Sequence, residues 1–245
     1  MRHVLYIFAF VILFSGLAFL ADRAGVFLIR DVHIEIHGAT ADQSFYGRKR
    51  ALLQAQLEQF RGVALWKIQI GAISDQIFQH DWVGDVEIFR HFPNQLEIHV
   101  TPKSIALIYQ NSHGDLLPVA NDGSLLSLAR SSEIPDVPIL RGKIFGDRLD
   151  LRRKAIDLIS QLPLVGKLTA NSVSEVSYQE RDGFQLLLHH SNAKVQMGHE
   201  DFKKKSSRVA QVISYLDAHD IEGRSIDASY ARKVLVRMKK APSTP

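Results

Sequence analysis

No cysteine occurs anywhere in the 245 residues. Disulfide staples and thiolate-bound zinc or iron–sulfur clusters are therefore excluded, and the compartment must be read from something other than redox chemistry. Proline is sparse at eight residues; with 46% hydrophobic and 23% charged residues, the composition is that of a chain folding around a buried core. Signatures of catalysis are missing too. There is no Gly-x-Ser-x-Gly elbow and no His-Glu-x-x-His helix, and Gly142-Lys143 lacks the glycine loop that would cradle a phosphate. The formal charge of +4 is spread along the chain rather than gathered in a patch, which argues against nucleic acid as a partner.

What the chain does have is an apolar run at its start. "VLYIFAFVILFSGLAFLA", Val4 to Ala21, holds no charge and lies between Arg2 and the Asp22-Arg23 pair. It just reaches the span of about 18 residues that a bilayer crossing needs, and its branched and aromatic residues favour insertion by roughly 4–7 kcal/mol. A cleaved signal peptide is the competing reading, since Gly16-Leu17-Ala18 offers small residues, but Phe19 and Leu20 carry the apolar run past that point. The reading adopted is a retained transmembrane helix over 4–22, with a short cytoplasmic tail at 1–3 and the bulk outside. Flanking charge alone hardly decides the orientation, with Arg2 on one side and Arg23 and Arg30 on the other.

Periodicity then switches from 2 to 3.6 and back. Val32, Ile34 and Ile36 alternate with His33, Glu35 and His37, a half-buried strand closed by Gly38. Ala51, Leu52, Leu53, Leu57 and Phe60 form one helical stripe, and Ile70, Ile73, Ile77 and Phe78 a second. Val86 and Ile88 share one apolar face with Phe92, Pro93-Asn94 makes a corner, and Leu96, Ile98 and Val100 share one face of the return strand. This β-α-α-β-β order gives a small sheet that two amphipathic helices can cover. Thr101-Pro102-Lys103 breaks the pattern, and the domain boundary is placed there.

Beyond it, Ile105–Tyr109, Leu116–Ala120 and Ser124–Leu128 read as short strands separated by hairpin turns. "DVPILRG" reads as a proline-bounded connector, and Leu149 to Leu162 as a helix stopped by Pro163. Val173–Tyr178, Phe184–His189 and Lys194–Met197 read as strands. Phe202, Val209, Val212, Ile213 and Leu216 mark a helix, and "RSIDASYARKVLVRM" offers two last strands around Ala231-Arg232. The fold class expected is α+β: a transmembrane helix, the β-α-α-β-β unit, then a mixed β domain with packed helices.

Three groups of polar residues invite a site. His33 and His37 share a strand face, but a His-x-x-x-His spacing suits chelation on a helix, so no metal site is expected. Lys203-Lys204-Lys205 reads as a solvated helix face, and Arg90 as a solvated residue whose stem covers apolar surface. Tyr230 is either a half-buried ring under the sheet or a contact for a partner.

The ordered pieces "VHIEIHG", "VEIFRHFPNQLEIHV", "VANDGSLL", "VPILRG", "VQMGHEDFKKKSSRV" and "SIDASYARKVLVR" together resemble the FtsQ/DivIB family of bacterial division proteins over nearly the whole chain. The pattern met by Val86, Arg90, Pro93, Leu96, Ile98 and Val100 is similar to that of POTRA (polypeptide-transport-associated) domains. The resemblance implies a POTRA domain over 27–101, an FtsQ-type β domain over 104–240 and a disordered tail at 241–245. It further implies a scaffold without catalytic centre or cofactor, in the cell inner membrane with its N-terminus cytoplasmic, gathering at the division septum. Its implied partners are FtsB- and FtsL-like coiled-coil proteins, bound by strand addition at the last strand, and other divisome proteins met by the POTRA domain and transmembrane helix. The residues matching that edge are Tyr230, Arg232, Lys233, Val234, Leu235, Val236, Arg237 and Met238; where several relatives place an aromatic near its end, this chain has Met238. Two other classes stay open at this point: a POTRA-bearing translocation protein and an anchored envelope hydrolase.

Overall fold

The computed structural model describes residues 2–38, 44–127, 135–189, 191–219, 221, 223–230 and 232–238; the side chains of 2–5, 8, 9, 17, 18, 21, 22, 44, 223 and 224 lie outside the description. The chain divides into two compact units, Met1–Lys103 and Ser104–Pro245.

Helix α1 (Arg2–Arg23) opens the first unit and carries the uncharged run. Its described apolar side chains, among them Ile7, Phe10, Leu13, Phe14 and Leu20, are exposed. Among the described residues no helix is long and apolar enough to cross a membrane, the run in α1 being described only in pieces.

Strand β1 (Asp31–Ile36), helices α2 (Ser44–Leu57) and α3 (Ile70–Phe78), and strands β2 (Val83–His91) and β3 (Gln95–Pro102) follow in that order. The sheet order is β1-β3-β2, with β1 parallel and β2 antiparallel to β3. Alternation explains which face is buried: Ile34 on β1 and Leu96, Ile98 and Val100 on β3 are fully buried. Phe45, Leu53 and Leu57 of α2 and Ile73 and Ile77 of α3 cover them. Each such side chain is worth about 1.5–3 kcal/mol of burial, so the cover is what makes a three-stranded sheet stable. One reading of the hairpin needs correction. Phe92 is exposed, because β2 ends at His91 and the chain has entered the turn before the ring reaches the buried face. Arg90 is exposed, as expected of a solvated residue, and its Nη2 donates to the Ile68 carbonyl, tying β2 to the loop ahead of α3.

The second unit holds an eight-stranded sheet. Its strands are β4 (Ile105–Gln110), β5 (Leu116–Ala120), β6 (Ile139–Arg141), β7 (Val173–Gln179), β8 (Gly183–Leu188), β9 (Lys194–Gly198), β10 (Gly223–Asp227) and β11 (Leu235–Met238). They lie in the order β11-β10-β9-β8-β7-β6-β4-β5. Helices α4 (Ile144–Asp147) and α5 (Leu149–Ser160) link β6 to its parallel neighbour β7, and α6 (Phe202–Ala218) links β9 to its parallel neighbour β10. Leu151, Ala155 and Leu158 of α5 recur at helical spacing and share one buried cluster with Phe202 and Val209 of α6 and Val176, Leu186, Val195 and Ile226 of the sheet.

Three expectations are revised here. The connector "DVPILRG" contains β6, a strand paired on both sides and lying between β4 and β7. The strand expected over Ser124–Leu128 is reduced to one bridge, Val119↔Leu125, with Leu128 outside the described residues. Lys205 is buried and donates from Nζ to the Met197 carbonyl at 3.0 Å, so the lysine run is not one solvated face. At about 100° per residue, three consecutive helical positions span too wide an arc to share a face, and the third turns inward.

Polar contacts fix the start of α5. Arg152, 7% exposed, donates from Nε to the Gly123 carbonyl at 2.7 Å and from Nη1 to those of Phe145 (2.5 Å) and Gly146 (2.9 Å). Burial pushes its guanidinium below the ordinary arginine value, while Tyr109, Asp147 and Asp150 push it back up. Asp150, in the first turn of α5, takes a two-pronged hydrogen bond from Arg148 at 2.9 and 2.8 Å. That bond lowers its carboxyl to about 2 and raises the Arg148 guanidinium.

Candidate functional site

Strand β11 ends the large sheet. It pairs antiparallel with β10 through Ser225↔Arg237, Ile226↔Val236 and Asp227↔Leu235, and among the described residues no strand pairs with its other side. Alternation divides its side chains: Val234 and Val236 pack on the buried cluster, and Leu235 and Arg237 face the other way. On that second face lies a groove of about 640 Å³, whose lining includes Gln185, Gln196, Asp227, Tyr230, Leu235 and Arg237. Its floor is a row running across four strands, since Gln185 pairs with Gln196, Gln196 with Asp227, and Asp227 with Leu235. Gln185 Nε2 donates to Gln196 Oε1 at 3.1 Å, and Gln196 donates onward to the Phe184 carbonyl at 3.2 Å. Buried Lys205 also reaches the groove wall.

The segment from Ala228 to Val234 connects β10 to β11. Its backbone begins with the Ala228 amide on the Gln196 carbonyl at 2.9 Å, and Asp227 Oδ1 then accepts from the Ser229 amide (2.9 Å) and hydroxyl (2.6 Å). These bonds set where Tyr230 leaves the sheet. Tyr230 is 45% exposed, and Lys233 Nζ stands 4.9 Å from its ring centre, a cation–π contact. The eight candidate residues are thus brought together in part. Leu235, Val236, Arg237 and Met238 form the strand, whereas Tyr230, Arg232, Lys233 and Val234 belong to the connection before it. Among the described residues no ion pair involves Arg232, Lys233 or Arg237, so the margin presents three cations.

The opposite end of the sheet differs. At β5 the chain covers itself: the Ala120 amide donates to Ser124 at 2.9 Å, the Leu126 amide to Pro118 at 2.8 Å, and Pro118 has no amide to offer.

The groove has no signal in the sequence, because Gln185, Gln196 and Asp227 come from three strands and only register brings them into one row. A second polar grouping was also missed. Among the described residues, Glu35, His37 and His99 of the first unit hold ligand atoms all within 4.8 Å of one another.

A small β-α-α-β-β unit, followed by a larger mixed sheet whose last strand is paired on one side only among the described residues, defines a two-unit chain of the POTRA-containing class. Residues 33–101 match the POTRA domain of FtsQ type, and residues 107–229 match the C-terminal region of the cell division protein FtsQ/DivIB. The chain belongs to the FtsQ/DivIB family of cell division proteins. It is similar to cell division protein FtsQ of Geotalea daltonii, with 25% identity over 72% of this chain and 66% of that one. It is 24% identical to FtsQ of Syntrophotalea carbinolica over 72% of this chain and 64% of that one. A match to cell division protein DivIB of Solibacillus silvestris reaches 29% identity over 40% of this chain and 37% of that one. The chain therefore spans just under two thirds of the length of the first two relatives. The C-terminal family match stops at residue 229, one position before Tyr230.

Proposed function

We propose that this protein is a membrane-anchored scaffold of the division septum, which recruits FtsB- and FtsL-like partners by accepting a strand along β11. The observation that carries this reading is that β11 closes the sheet with one side unpaired among the described residues. A row of free amides and carbonyls recruits by hydrogen bonding, and neighbouring side chains supply selectivity. Here Tyr230, Leu235 and Arg237 sit beside that margin and line the groove. The cations Arg232, Lys233 and Arg237 favour an acidic strand over a random one.

In this proposal α1 is the anchor, with the N-terminus cytoplasmic and both folded units outside. Its 22 residues span about 33 Å at about 1.5 Å per residue, close to the roughly 30 Å of a hydrocarbon core. The POTRA domain and α1 serve as further contact surfaces for divisome proteins. No role as an enzyme is assigned.

The test is capture of FtsB–FtsL-like coiled coils by the purified chain, alongside Tyr230→Ala, a chain stopped before Lys233, and the surface control Lys204→Ala. Binding should vanish on truncation, weaken with Tyr230→Ala and persist in the control. A truncated chain that binds as well as the parent would remove β11 from the mechanism. A fluorescent fusion spread evenly around the envelope of cells that divide normally would remove the scaffold role itself.

A further inference from the structure

The face of the three-stranded sheet turned away from its helices carries histidine and glutamate in alternation. His33 and Glu35 on β1 and Glu97 and His99 on β3 alternate with the inward residues of their strands, and Glu87 and Phe89 on β2 alternate with half-buried Val86 and Ile88. Register sets their neighbours: Glu35 lies opposite His99 across the parallel pair, and Glu87 opposite His99 across the antiparallel one. His37 extends the ladder one residue past β1, its amide bonded to the Val100 carbonyl at 3.0 Å, which brings its ring beside that of His99 with centres 4.4 Å apart. The His99 ring also packs on Phe89 at 5.1 Å, so it is held from two sides.

We propose that Glu35, His37 and His99 form a binding site for a divalent transition-metal ion of the zinc class. Glu35 Oε2 lies 3.2 Å from His37 Nε2 and 4.0 Å from His99 Nε2. Ligands held at about 2.0–2.2 Å around a tetrahedral ion stand roughly 3.3–3.6 Å apart, so the first separation fits and the second closes with a small side-chain rotation. Two imidazoles and one carboxylate are a donor set that suits zinc and its neighbours and leaves a position open for water or for a donor from a partner. Glu97 Oε1 stands 2.8 Å from the same His99 nitrogen and its other oxygen contacts His91, so the ion competes with one hydrogen bond and finds a further carboxylate beside it. A strand-borne His-x-x-x-His pair could not do this: His33 and His37 are too far apart along one strand, whereas His37 and His99 meet across two.

The site is independent of strand addition at β11 and is tested separately. The full chain, purified in detergent, is titrated with zinc chloride by calorimetry and with cobalt(II) by visible absorption, next to His37→Gln, His99→Gln, Glu35→Gln and the exposed control His113→Gln. We expect one saturable equivalent whose affinity falls roughly tenfold or more in each of the three site variants and holds in the control. Far-UV circular dichroism checks that the variants fold, as expected for residues on a solvent face. Absence of saturable binding, or His37→Gln and His99→Gln titrating like the parent, overturns the proposal.

Discussion

Replacing Arg152 by methionine tests what holds the start of α5 in place. The substitution keeps most of the aliphatic volume and removes three donors from the carbonyls of Gly123, Phe145 and Gly146. Hydrogen bonds from a charged group contribute about 1.5–3 kcal/mol each, but bonds that share one side chain do not add, and water can reach part of the gap. A loss of about 3–5 kcal/mol follows, the scale seen when one member of a buried polar cluster is deleted. For a unit the size of Ser104–Pro245 this lowers the melting temperature by roughly 10–15 °C, readable by circular dichroism of the full chain. Both tryptophans, Trp66 and Trp82, lie in the other unit, so their fluorescence transition should move far less. Arg152→Lys keeps the charge yet cannot reach three carbonyls at once, and should recover less than half of the loss. A shift below about 3 °C for Arg152→Met would refute the idea that these bonds anchor the helix.

Two further outcomes are expected. Gly183→Ala should destabilise by more than about 3 kcal/mol: its φ of +76° is left-handed, and an added Cβ would lie 2.3 Å from the Gly198 backbone at the β8–β9 bulge. Gly166→Ala, with φ +104° and open space around it, should cost only about 1–2 kcal/mol; equal losses in the two denaturation curves would show that close approach is not what requires glycine at 183. The Asp150 carboxyl, held to about 2 mainly by the Arg148 hydrogen bond, should titrate near that value in an NMR pH series and rise toward the ordinary carboxylate value in Arg148→Ala. Because the folded value is depressed, its stabilisation is complete above about pH 4 and lost as the pH falls through 2; an unmoved midpoint in Arg148→Ala would refute the assignment.

Much of this architecture was legible because the alternation and helical stripes are strong where burial is one-sided. Ile34, Leu96, Ile98 and Val100 mark their sheet by alternation, and the run from Leu149 to Leu162, ended by Pro163, marks a helix that the structure places at Leu149–Ser160. What escaped is what local period cannot encode. Strand β6 has three residues, too few to alternate, and exists because β4 and β7 flank it. Lys205 departs from expectation for the opposite reason: a run of like charges looks uniform in sequence, but rotation along a helix separates its members. The histidine–glutamate face and the glutamine-lined groove depend on register between strands distant in the chain, and a single sequence carries no direct signal for that.

The two margins of the large sheet differ in a way that bears on the proposed recruitment at β11. An open edge invites unwanted pairing, and a chain that keeps one must suppress the other. Strand β5 does so with Pro118, which lacks a donor, and with Ser124–Leu126 folded back onto it. Strand β11 has no such cover among the described residues, and its deterrents are Arg232, Lys233 and Arg237, cations that repel a second copy of the same edge. Charge, unlike proline or a covering loop, discriminates: it opposes a basic strand while admitting an acidic one. Replacing Arg237 with glutamate should therefore weaken capture of an acidic partner strand and restore it when the partner's facing carboxylate is replaced by lysine. If the charge swap on both sides fails to recover binding while each variant stays folded, the edge selects by shape alone and the electrostatic half of this account is wrong.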